Sequence, residues 1–190
     1  PKKLEVQLSE LEASPDIRLV HSDEIWIRNG KRVNQMHKHK KSGGYIFPLC
    51  LPLCAISPSA AVLHRSLLVD VGGFDESLPA CEDYDLWLRI CCKERVLYVD
   101  TPLLMKYGGH EDQLSKRYWG MDRFRVHSLA KLLSGASLDA EQERLAQKTL
   151  LEKATILRNG ASKRAKLEDV RYYDQLLKMH GSQISEAHDD

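Results

Sequence analysis

A chain of 190 residues, 43% apolar and 29% charged, has enough material for one domain with a core plus an appendage, and its composition excludes wholesale disorder. Its 28 basic residues balance 27 acidic ones, and a net charge of +1 removes the electrostatic case for nucleic-acid binding. No apolar run approaches the roughly 18 to 20 residues of a membrane helix, and the best candidate, 46–56, is broken by Pro48 and Pro52. Cys50, Cys54, Cys81, Cys91 and Cys92 are odd in number and lack framework spacing, which reads as reduced thiols in a cytoplasmic setting. Cys50-x-x-x-Cys54 lacks the second pair that a metal site needs.

Leu4, Leu8 and Leu11, at i, i+4 and i+7, predict an amphipathic helix over 2–13, stopped by Ser14-Pro15-Asp16. Residues 17–21 read as a strand, with Ser22, Asp23 and Glu24 at its end, where ligands gather in open α/β sheets. Ile25 and Ile27 alternate with polar neighbours and lead into Asn29-Gly30, a strong hairpin signal. The basic stretch 35–44 holds His37, Lys38, His39, Lys40 and Lys41 and is predicted to be a solvated surface loop. The functional alternative for it is contact with donor phosphates or an anionic membrane surface.

An extended segment over 57–65 and a short helix over 66–71 follow, the helix ended by Gly72-Gly73. A second helix starts near Glu82, then a strand over 96–100 and an extended stretch from Pro102 to Tyr107. Beyond Ser115 the character is helical. One helix contains Leu129, Leu132 and Leu133, one spans 137–159 with a capping-box-like start at Ser137 and a stop at Asn159-Gly160, and one spans 163–178. The polar end, 181–190, is predicted to be a disordered tail.

The densest chemical signal is Gly72-Gly73-Phe74-Asp75-Glu76 followed by Glu82-Asp83-Tyr84-Asp85-Leu86-Trp87-Leu88-Arg89. Acids in a first helical turn cap free amides and complement the helix dipole, which accounts for one or two of them. Carboxylates clustered at a cleft raise each other's pKa and leave one as a general base, the group that deprotonates a hydroxyl nucleophile. Spacing alone leaves the two readings even.

This segment resembles the catalytic segment of family-two glycosyltransferases of GT-A fold. Pro1-Lys2-Lys3-Leu4-Glu5-x-Gln7-Leu8, Leu19-Val20-His21-Ser22-Asp23 and Ile56-Ser57-Pro58-Ser59 with Arg65-Ser66 resemble the same family in the same order. The resemblance covers 1–115. It implies an α/β fold, a partial GT-A domain lacking its N-terminal donor-binding half, followed by a helical extension over 116–180. It also implies transfer of a sugar from a nucleotide-diphosphate donor to a glycan or lipid-linked acceptor hydroxyl, with inversion, in polysaccharide or cell-envelope glycan synthesis. The expected location is cytoplasmic, at the inner face of the membrane if the protein associates with it peripherally.

The family's acidic pair carries over to Asp83 as base, with Glu82 orienting the acceptor or the base and Asp85 as a structural cap. Gly72, Gly73 and Asp75 are expected at the acceptor site, with Phe74 anchoring the turn in the core. Trp87 reads first as core and second as a sugar platform, and Arg89 as an acid's partner or a phosphate contact. His110, delivered by Gly108-Gly109, is the expected metal or diphosphate contact. The family's Asp-x-Asp motif, which holds Mg2+ or Mn2+ against the diphosphate, does not precede Pro1. The chain alone is therefore expected to be inactive. The alternative reading is a non-catalytic binding or regulatory module derived from such a domain.

Overall fold

Leu19 and Val20 are fully buried, and the strand that carries them, β1 (Leu19–Arg28), pairs with every other strand of a four-stranded mixed sheet. The computed structural model describes residues 2–34, 39–108 and 117–186, with side chains to 181, and divides into the units Pro1–Trp119 and Gly120–Asp190. Strand β2 (Lys31–Val33) pairs antiparallel with one end of β1, and β3 (Ala61–Leu63) pairs antiparallel with the other end. The β1–β2 turn is Asn29-Gly30, both at positive φ (51° and 74°), as a tight hairpin demands.

Strand β4 (Leu97–Gly108) runs parallel to β1 along its length. The two stretches predicted at 96–100 and 102–107 are thus one strand. Ser22 lies opposite Val99 but Asp23 lies opposite Pro102, so Asp100 and Thr101 are extra residues at an irregularity in the ladder. A proline, which has no N–H to give, is tolerated in a strand at such a place.

The helices of this unit are α1 (Lys2–Glu12), α2 (Phe47–Cys50), α3 (Arg65–Asp70) and α4 (Glu82–Cys91). Helix α1 is rotated relative to its leucine stripe. Leu4 and Leu8 are exposed, whereas Gln7 is fully buried and donates to the carbonyls of Ala60 (2.8 Å) and Val20 (3.5 Å). Lys3 donates to Ala61 O at 3.3 Å. The physical reason is demand for donors: the 3-10 turn Pro58–Ala60 and the start of β3 present carbonyls to the helix, and amide and ammonium groups satisfy them where leucine cannot. Arg18, just ahead of β1, pairs with Asp70 at the end of α3 at 2.5 Å and with Glu94, in the connection after α4, at 2.6 Å.

The second unit consists of α5 (Asp122–Gly135), α6 (Ala140–Lys163) and α7 (Leu167–Glu186). Val126, Leu129, Leu150 and Ala154 are fully buried in it. Asp122 bonds Arg125 at 2.8 Å and Lys153 at 2.9 Å, joining α5 to α6. Burial pushes the Asp122 carboxyl up, but these two cations outweigh it and hold the group below its ordinary value. The capping box is formed by Asp139 with Gln142, not by Ser137. Gly160 does not stop α6; the stop falls at Ala165, which adopts φ 53°. Ala161, only 2% exposed, keeps the helix packed past the glycine, and packing outweighs the roughly 1 kcal/mol intrinsic cost of glycine in a helix. Helix α7 continues to Glu186, past the predicted start of the tail at 181, because no proline or positive-φ residue interrupts it. None of the described helices is long and apolar enough to cross a membrane.

His21, on β1, is fully buried against the Tyr98 ring (centroids 5.2 Å apart), and its Nε2 donates to Ser42 O at 2.9 Å. Burial pushes the imidazole pKa from 6.5 down to about 4. The unfolded chain therefore binds a proton between those values that the folded chain refuses. This stabilising contribution is complete above pH 6.5 and lost as pH falls to about 4. We predict that urea denaturation will show a loss on the order of 3 kcal/mol across that window, and that His21→Gln will remove this part of the pH dependence.

Candidate functional site

The acidic start of α4 separates into groups with different occupations. Asp85, 1% exposed, bonds Arg89 one turn on, with Nε–Oδ2 at 2.9 Å and a second guanidinium nitrogen at 2.8 Å. The same guanidinium donates to Val71 O and to Gly73 O, the latter at 2.8 Å. Arg89 thereby clamps α4 onto the diglycine turn that ends α3. Gly72 and Gly73 stand at φ 77° and 73°, and a side chain on either would meet nothing within 4 Å. Their backbone angles, not crowding, call for glycine.

That turn carries Phe74 outward. It is 46% exposed, against the expectation that it anchors the turn in the core, because two consecutive positive-φ residues reverse the chain direction ahead of it. Asp75 accepts from Ser77 N at 3.0 Å and Ser77 Oγ at 2.6 Å, closing the next turn. Trp87 is 2% exposed and belongs to the core, so it presents no open face to a sugar ring.

Asp83 and Glu82 are both half-buried. Asp83 Oδ1 accepts the N–H of Tyr84 at 2.7 Å, and Oδ2 accepts the thiol of Cys54 at 3.2 Å. Tyr84 is buried and donates its hydroxyl to Leu51 O at 2.7 Å, which fastens the segment after α2 beside the acid. Neither contact is with a cation, so among the described residues Asp83 faces one amide and one weak donor.

Sequence reasoning missed the groups on the sheet side. The side chain of Glu24 is fully buried, and its Oε1 accepts from Trp26 Nε1 (2.8 Å) and Ser57 Oγ (2.9 Å). Lys41 lies 3.2 Å from its Oε2 and Lys106 lies 4.0 Å from Oε1. Lys106 also donates to Ser57 Oγ at 2.9 Å and sits 5.0 Å over the Trp26 ring. Its charge acts on the Cys54 thiol, which links this cluster electrostatically to Asp83's donor.

Lys41 corrects the expectation of a solvated loop. It is 8% exposed, because a buried carboxylate demands a cation. Burial lowers its pKa and Glu24 opposes that. Lys41 is brought in by Gly44, which bridges Val96 through bonds of 2.8 and 3.0 Å, and by Gly43, where a Cβ would come within 3.0 Å of Val96 O. The polar run Ser22-Asp23-Glu24 was the one available signal, read as a strand end when it is mid-strand.

A cleft of about 420 Å³ opens beside this cluster, walled by Asp23, Glu24, Trp26, Arg32, Lys41 and Tyr98 among others. Burial, with Asp23 and Asp100 nearby, pushes the Tyr98 hydroxyl up to about 12, so it stays a donor at any ordinary pH. Asp83 and Glu82 are not among the walls.

His110 and Gly109 lie outside the described residues, as does His37. Among the described residues no group of three or more His, Cys, Asp or Glu is placed to hold a metal ion. All five cysteines are free thiols.

Residues 45–134, just under half of the chain, match the family model described as Glycosyltransferase like family 2. The matched stretch contains α2, β3, α3, the diglycine turn, α4 with Asp83, and β4. The mixed sheet with flanking helices is compatible with a glycosyltransferase-like domain, which supports a transferase at that coarse level. No curated protein matches the chain.

Replacing Glu24 by Gln leaves Lys41 buried beside a neutral amide. We predict that denaturant titration will show Glu24→Gln to be destabilised by about 3 to 5 kcal/mol, and Glu24→Gln/Lys41→Met to recover most of that loss.

Proposed function

We propose that the protein works on the acceptor side of an inverting sugar transfer, with Asp83 as the general base. The single observation that carries this reading is the division of labour among the acids. Asp85 is committed to Arg89 and Asp75 to a turn, while half-buried Asp83 faces, among the described residues, the Tyr84 amide and the Cys54 thiol and keeps lone pairs for a proton. The match over 45–134 supports the class of reaction.

In the proposed step the acceptor hydroxyl gives its proton to Asp83 while its oxygen attacks the anomeric carbon of the donor. The new C–O bond forms on one face as the bond to the diphosphate breaks on the other. The electron pair leaves on the diphosphate, and the configuration inverts. Glu82, adjacent on the first turn of α4, orients the acceptor or the base. The donor in this proposal is a nucleotide-diphosphate sugar and the acceptor a glycan or lipid-linked hydroxyl, in polysaccharide or cell-envelope glycan assembly at the cytoplasmic side of a membrane. Mg2+ or Mn2+, when bound, would supply counter-charge to the leaving diphosphate.

The test is Asp83→Asn in an assay of sugar transfer by the protein. The amide keeps the shape but cannot take the proton. Turnover should fall by roughly 10²- to 10⁴-fold with donor affinity nearly unchanged. Retained turnover would remove Asp83 from the chemistry and favour a non-catalytic binding module.

A further inference from the structure

The Cys54 thiol has one proton and two acceptors at equal distance. Its sulfur lies 3.2 Å from Asp83 Oδ2 and 3.2 Å from the carbonyl oxygen of Ile56. One S–H serves one of them at a time. A charged acceptor binds a donor more strongly than a neutral carbonyl, so the proton points at Asp83 while that group is a carboxylate. When Asp83 takes a proton the preference disappears. The S–H is then free to turn to Ile56 O, and the sulfur, a weak acceptor, can receive the new carboxyl O–H.

We propose that Cys54 is a positioning residue for Asp83: a two-position donor that holds the carboxylate in place when it is charged and releases it when it has accepted the acceptor's proton. This rests on the reading of Asp83 as base. The proton inventory closes, since the thiol keeps its own proton throughout and changes only its direction. A thiol suits the task better than a hydroxyl, whose stronger bond to the carboxylate would hold the charged form and oppose proton uptake.

The surroundings favour a thiol that stays protonated. Burial and then Asp83 itself push the Cys54 pKa well above the usual thiol range. Among the described residues, the titratable groups that face Cys54 are Asp83, Cys50, Cys91 and Lys106. Cys50 and Cys91 are buried thiols that act on each other, and Lys106 is engaged with Ser57 and Glu24, so Asp83 is the neighbour whose charge state can redirect the proton. Tyr84 holds the other oxygen of Asp83 through a backbone amide that does not titrate.

The experiment is infrared spectroscopy of the S–H stretch in the full chain, with Cys54→Ala as the reference that isolates the Cys54 band. As pH falls through the titration of the Asp83 carboxyl, followed by carboxyl carbon NMR, the Cys54 band should shift toward weaker hydrogen bonding. In Asp83→Asn it should not respond to pH. A Cys54 band indifferent to that titration overturns the proposal. Such a result leaves the base assignment standing, whereas full turnover by Asp83→Asn would remove the base while the coupling could still be observed.

Discussion

The Asp85–Arg89 pair holds the candidate site in one piece. Its geometry is an ordinary i, i+4 contact, but Arg89 spends its remaining donors on two carbonyls of the diglycine turn. A buried carboxylate and a guanidinium thus become a rivet between α4 and the end of α3. Removing one partner of such a pair leaves a buried charge uncompensated, which costs several kcal/mol. The consequence for function is positional. With Asp85 fixed, the first turn of α4 cannot rotate, and Asp83 is held toward Cys54 and the segment after α2.

A second buried charge organises the sheet side. Glu24 has two lysines, a tryptophan N–H and a serine hydroxyl around it, so its Oε1 is hydrogen-bonded and its charge is compensated by Lys41 at Oε2. Lys41 is buried with it, whereas Lys106 keeps 42% of its side chain exposed. The surplus cation therefore stands at the surface, next to the Trp26 ring and within electrostatic reach of Cys54. The clamp fixes the acid of the proposed reaction, and the Glu24 cluster sets the field in which its donor sits.

Local signals in the sequence were read well where local physics decides. Asn29-Gly30 made its hairpin, Gly72-Gly73 ended a short helix, and the acids opened α4 at Glu82, because positive φ and first-turn amides are requirements of a few adjacent residues. The misreadings share one cause, which is tertiary demand. Leu4 and Leu8 form the apolar stripe that periodicity rewards, yet the sheet's carbonyls draw Gln7 and Lys3 inward. Lys41 belongs by composition to a solvated loop, and a carboxylate seventeen positions away in a different element buries it. Phe74 looked like an anchor and the turn throws it outward, while Gly160 looked like a stop and Ala161 packs beyond it. In the acidic segment spacing alone does not divide the five carboxylates between capping and chemistry, and only the family resemblance separates Asp83 from Asp85. Which acid is committed to Arg89, which closes a turn and which faces a thiol is visible only once α3, α4 and the segment after α2 are assembled.

The account turns on where Asp83 points when substrates are present. A structure of the protein with its acceptor and an unreactive analogue of its donor decides it most directly. The account predicts an Asp83 carboxylate oxygen about 2.6 to 3.2 Å from the acceptor hydroxyl, with that hydroxyl in line with the anomeric carbon and the departing diphosphate. An acceptor hydroxyl bonded to another base, with Asp83 still engaged only with Cys54 and Tyr84, would contradict it.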